Sequence, residues 1–125
     1  MTRGIWLTAA AFALVAAPAF AQQDACSAPI PPVVPDGKTA SLPQLSQAAK
    51  DVVAFIRSSD DYQTCLLAAI NKYETDAKGS KQGIDPSVRK GLEAKGDLNQ
   101  KEKERIGAAY NKAAADYKSS HPATK

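Results

Sequence analysis

SLPQLSQAAKDVVAFIRSSDDYQTCLLAAINKYETDAK, residues 41–78, decides the fold. Leu45, Ala49, Val52, Ile56, Ser59, Leu66, Ile70 and Tyr73 recur at steps of mostly three and four, with Tyr62 filling the step between Ser59 and Leu66. That spacing is the apolar seam of a helix packed on another helix. Leu42, Ala48, Val53, Ala69 and Ala77 widen it, so more than one side is expected to be covered. Ser41 and Gln44 make a capping box, and Pro43 fits the first turn. Lys78 followed by Gly79 is a stop signal. The spacing therefore predicts a helix over 41–78, roughly 55 Å long at about 1.5 Å per residue.

Downstream, Gly79, Ser80 and Gly83 read as a loop. Asp85 and Pro86 supply a cap and a first-turn proline for a short helix over 86–94, which Gly91 weakens and Gly96 ends. Asp97, with Gln100 three residues on, opens a last helix over 97–119. Leu98, Ile106, Ala109, Tyr110, Ala113 and Tyr117 form its apolar side, and residues 101–105 form a charged turn facing water. Residues 120–125 read as a flexible tail, Pro122 being incompatible with further helix. The expected architecture is all-α, a long antiparallel helical hairpin of coiled-coil type, residues 41–119. Matching the seams pairs Tyr73 with Ile106, Ile70 with Ala109, Leu66 with Ala113 and Tyr62 with Tyr117, each pair summing to 179 as equal rise requires.

Residues 1–21 have the form of a signal peptide: Arg3, an apolar run from Ile5 to Ala17, and Ala19-Phe20-Ala21 at the cleavage site. The run is shorter than the ~20 residues of a membrane span, and no later segment is apolar enough for one. Cleavage leaves roughly 104 residues, one domain. Residues 22–40 form a proline-rich extended arm. Pro29, Pro31, Pro32 and Pro35 exclude helix, while Pro35-Asp36-Gly37 marks a turn. The two cysteines, Cys26 and Cys65, both fall in the exported part, where an oxidising space pairs them. The arm has about 15 residues to return from Cys65 to Ser41. That reaches roughly 47 Å in polyproline form against about 36 Å of helix, so the loop closes. The clasped arm is expected to cover the first half of the long helix, with Ile30, Val33 and Val34 near Val52, Val53 and Ile56. The last helix is expected to cover the half after Ser59.

Sixteen basic and thirteen acidic residues give +3, or about +2 without Arg3. The excess lies from Lys72 onward, roughly +4, against roughly −2 over residues 22–71. Such a balance permits an anionic envelope polymer or lipid headgroups as partner, although a solvated helical face explains it as well. It gives no reason to expect nucleic acid. The residues supply no catalytic set. His121 is the only histidine and sits in the tail, and one histidine with a bonded cysteine pair makes no zinc site. Cys26 and Cys65 are too far apart for a Cys-x-x-Cys redox motif. Asp60 and Asp61 point about 100° apart on a helix and do not face one another as an acid/base pair. Gly79 and Gly83 carry no phosphate-loop signature, so no cofactor is expected. Tyr62, Tyr73, Tyr110 and Tyr117 could form a ligand cage, but helical spacing makes them core or core-edge first.

Cys26, then Pro29, Pro32 and Pro35-Asp36-Gly37, then Tyr62-Gln63-Thr64-Cys65-Leu66, then Tyr110-Asn111, is a pattern that resembles small exported proteobacterial proteins. These share a cysteine, a proline-rich arm ending in Pro-Asp-Gly, and a helix bearing Tyr-x-x-Cys-Leu. The resemblance implies a periplasmic address and the Cys26–Cys65 bridge, and carries no activity or functional residues with it. The expectation is a periplasmic or secreted non-enzymatic module that contacts an envelope protein. The alternatives are a stress protein or holdase chaperone and, least, an enzyme.

Overall fold

The computed structural model describes residues 26–81 and 83–123. The expected leader, residues 1–21, and the first residues of the arm, 22–25, lie outside the described residues. Two helices, α1 (Leu42–Gly79) and α2 (Pro86–Ser120), pack against one another as an all-α hairpin, and Cys26 is bonded to Cys65. Among the described residues no helix is long and apolar enough to cross a membrane.

The start of α1 follows from its capping box. The Ser41 backbone N–H donates to Gln44 Oε1 at 2.8 Å, and the Gln44 N–H donates back to Ser41 Oγ at 3.4 Å. At its other end Gly79 is the last helical residue, and the left-handed turn falls on Lys81 (φ 55°) rather than on a glycine. The seam of α1 is buried at Leu45, Ala48, Val52, Phe55, Ser59, Tyr62 and Leu66, alternating steps of three and four, and continues through Ile70 and Ala77. The expected line used Ala49 and Ile56 where the chain buries Ala48 and Phe55. Apolar neighbours at 48/49 and 55/56 make the pattern ambiguous by one residue.

Helix α2 corrects the reading of two helices. It is continuous for 35 residues from the Asp85 cap, and neither Gly91 nor Gly96 interrupts it. Gln100 does not close a capping box on Asp97 but donates to Glu104 Oε1 at 2.9 Å. The reason lies in its buried residues, Leu92, Asn99, Ile106 and Ala113, which recur every seven. Breaking the helix at Gly96 would interrupt that line. Each glycine costs only about 1 kcal/mol of helix propensity. Leu98, expected on the seam, lies off it and is exposed.

Because α2 starts at Pro86, the connection is only residues 80–85, and so short a turn dictates the register. The expected pairing summing to 179 is wrong. Asn99 Nδ2 donates to the Ser59 carbonyl at 3.0 Å, Leu92 packs with Leu66 and Ile70, and Ile106 packs with Val52 and Phe55. Relative to the expectation, α2 is displaced about 20 residues, or about 30 Å, along α1. It therefore runs beside Val52 and does not stop at Ser59. None of the four expected pairs forms, although Tyr62, Leu66, Ile70, Ile106 and Ala113 are all buried. Tyr73, Ala109 and Tyr117 are half-buried.

Candidate functional site

The arm begins at Cys26, which packs against the Tyr62, Leu66, Ile70 and Leu92 cluster. Further along, Val34 packs on Val52, Phe55 and Ile106, together with Ile56 and Tyr110. It ends where Gly37 meets α2: a Cβ at Gly37 would lie 1.8 Å from the Ala113 carbonyl oxygen. A glycine is required there because the two backbones touch. The turn is fixed by Asp36, whose Oδ1 accepts from the Lys38 N–H at 2.9 Å and whose carbonyl accepts from the Ala40 N–H at 2.8 Å. The arm thus lies over both helices, not over half of α1 alone.

Burial along the arm has a period of three. Cys26, Pro29, Pro32 and Pro35 are half-buried, whereas Ile30 and Val33 are exposed. That spacing, to which half-buried Val34 is the exception, matches the three-residue turn of a polyproline II helix, which the prolines favour by fixing φ. It corrects the expected contacts: of Ile30, Val33 and Val34, only Val34 reaches Val52, while Val53 is itself exposed. Among the described residues, no hydrogen bond from residues 26–35 to the helices accompanies this packing.

Two clefts border the arm. One, of about 410 Å³, lies between Val34–Lys38 and Ala109–Asp116 and presents Asp36, Lys38, Lys112 and Asp116. Its carboxylates are already engaged, Asp36 by the turn and Asp116 by Lys112 Nζ at 2.6 Å. The hydrogen bond from Lys112 holds Asp116 below the usual carboxylate range, and the same contact raises Lys112. The other, about 240 Å³, lies beside Pro29 and is lined by Phe55, Tyr62, Leu98 and Glu102. Arg105 donates to Glu102 and lowers its pKa. Neither cleft brings a nucleophile to a base. Asp60, on the outside, pairs with Lys103, and His121 stacks on Tyr117 with ring centroids 4.2 Å apart. Among the described residues no three of His, Cys, Asp and Glu are placed to hold a metal ion.

Part of the basic excess after Lys72 is paired along the helices: Lys72–Asp76, Arg89 with Glu74 and Glu93, Arg105–Glu102 and Lys112–Asp116. Lys50 and Arg57 flank Ala49, Val53 and Ala54 on the outer face of α1.

Phe55 and Asn99 were not singled out by sequence reasoning. Both carried a signal: Phe55 lies three after Val52, and Asn99 lies midway in the seven-residue line from Leu92 to Ile106. A buried Asn on such a line fixes register. Its partner Ser59 is fully buried, and Ser59 Oγ has no hydrogen-bond partner.

No family model, curated protein or solved structure matches the chain.

Proposed function

We propose that the protein is a small exported, non-enzymatic module that binds another envelope protein through apolar side chains it leaves in water. Export rests on the leader-like N-terminus, on the resemblance to exported proteobacterial proteins, and on the paired cysteines, which persist in oxidising compartments. The observation that carries the binding role is the exposure of large apolar residues around a well-covered core. Ile30 is 90% exposed, Val33 89%, Leu67 62% and Val53 51%. Photocrosslinking in the producing cell, with probes on the arm and on the outer face of α1, tests this. A reproducible envelope protein at one or more positions is expected, and its absence at all of them removes the reading.

A second reading, a holdase that shields unfolded clients, draws on the same exposed side chains and on the alanine-rich helices. It requires the purified protein to slow aggregation of a reduced or heat-unfolded client at stoichiometric concentration. No delay excludes it.

A further inference from the structure

Ile30 and Val33 are the two most exposed large apolar side chains of the described residues, and they lie three apart on one face of the polyproline rod. At 3.1 Å per residue they stand about 9 Å apart. The rod is held at both ends, by the Cys26–Cys65 bond and by Gly37 against Ala113. No charged residue occurs between Asp24 and Asp36. Among the described residues no hydrogen bond uses the carbonyls of residues 27–34. Leu67, Val53 and Leu98, by contrast, are more covered, and each stands on a helix among polar or charged neighbours.

Resting on the binding role above, we propose that the outer face of the arm, carried by Ile30, Pro31 and Val33, is the docking epitope. Its partner is a protein with an uncharged, aromatic-lined groove that reads an extended polyproline chain. The argument is chemical complementarity. A polyproline rod exposes unpaired carbonyls and side chains at a three-residue pitch, and grooves walled by aromatic rings supply apolar faces and N–H or O–H donors at that pitch. An uncharged epitope offers nothing to an anionic polymer or headgroup. Two side chains are also too little area for a dimer of this chain, since a stable interface takes about 800 Å² from each partner. Clamping matters because the order that a free proline-rich peptide must acquire on binding is already present.

The test places a photocrosslinking amino acid at position 30 or 33 of the full chain in the producing cell, with Val53 and Leu67 as comparison positions. The expected result is one protein captured at both 30 and 33, with its crosslinked residues mapping to an apolar concavity that contains aromatic side chains. Ile30→Asp or Val33→Asp should lower capture from the other arm position at least tenfold, with helical circular dichroism unchanged. The synthetic peptide of residues 27–36 should compete more weakly than the intact, oxidised protein. Capture only at 53 or 67 overturns the arm epitope while leaving the binding role, whereas no capture anywhere overturns both. Crosslinks from the arm to lipid, to a second copy of this chain, or to a flat charged surface also overturn it.

Discussion

The two halves of α1 are covered differently. From Leu45 to Phe55 the helix meets α2 and the arm together, and Ile106, Val34 and Tyr110 close on Val52 and Phe55. Beyond the disulfide no described residue of the arm lies on α1. Leu92 and Val88 of α2 cover Leu66 and Ile70, with Cys26 at the near edge only. The seam changes with the cover. Up to Leu66 it keeps alternating steps of three and four. After Leu66 it steps four to Ile70, and Tyr73 there is only half-buried. Polar contacts add to the cover there: the Tyr73 hydroxyl accepts from the Asp85 N–H at 2.7 Å, and Arg89 reaches Glu74 at 2.8 Å. Exposed ion pairs are worth little, about 0–1 kcal/mol each. The difference teaches that two helices alone bury too little, and that the arm supplies the third side of the core. The turn end should therefore open at lower free energy than the arm end.

The largest test compares one deletion in each half. Ile106 is 2% exposed at the three-sided end and Leu92 is 7% exposed at the two-sided end. Ile106→Ala should cost about 4 to 5 kcal/mol and Leu92→Ala about 2 to 3, because a site enclosed by three elements collapses less around its cavity. Urea denaturation monitored by circular dichroism reads both. Equal costs would mean that the arm adds no real enclosure.

Next comes the bridge, which closes a loop over a separation of 39 residues. Its removal in the double variant Cys26→Ser, Cys65→Ser should cost about 4 kcal/mol in the chain-entropy account. If the arm is the third side, the Ile106→Ala cost should also shrink in that background, since the cavity can then relax. An Ile106→Ala cost that is the same with and without the bridge would separate the disulfide from the core beneath it.

Glycines give a finer contrast. A Cβ at Gly37 would strike the Ala113 backbone, whereas one at Gly79 meets nothing within 4 Å. Gly37→Ala should destabilise by about 1–3 kcal/mol as the arm lifts from α2. Gly79→Ala should be neutral or stabilise by up to about 1 kcal/mol, adding helix propensity. Both are read from thermal melts. A tolerated alanine at 37 would mean that the Gly37–Ala113 contact does not hold the arm to α2.

Much of this contrast was legible in the sequence, unevenly. The Ser41 box, the Asp85-Pro86 start, the two-cysteine bridge and the helical hairpin follow from local chemistry and counting, and the structure has all of them. The register was not legible, because it hangs on whether Gly96 ends a helix, and local propensity overstated that glycine. It lies half-buried with only the Leu66 side chain near, at 3.9 Å from where a Cβ would be, so nothing forces a break there. Once α2 is continuous, Asn99 falls opposite Ser59 and every pairing moves. The arm's faces were misread for a similar reason. Apolar character alone put Ile30 and Val33 inward, while the proline spacing of three turned Pro29 and Pro32 inward and those two outward. Of the candidate site, the disulfide, the Asp36 turn and the approach of Val34 to Val52 were read directly.

The smallest expected effect concerns pH at the two-sided end. The Asp85 carboxylate accepts from the Ser87 N–H at 2.9 Å, and that backbone bond first, the Ser87 side chain second, lowers its pKa. A carboxylate lowered on folding contributes stability above its unfolded pKa of about 3.9, and the contribution is lost as pH falls through the still lower folded value. Asp85→Asn keeps a capping group with no charge to titrate. The wild type should therefore melt slightly above Asp85→Asn at pH 7, with the gap closing as pH falls below about 4. Asp116, lowered by Lys112 at the other end of α2, has the same sign. Asp116→Asn should show the same convergence in global melting. In amide exchange, however, acid should loosen the Asp85 end of α2 first, since there the cap and Tyr73 stand in for a third layer. A gap between wild type and Asp85→Asn that stays constant from pH 7 to pH 3 would show that the cap's charge contributes nothing. Loosening that starts at the Asp116 end would show that the arm is not what makes the two ends unequal.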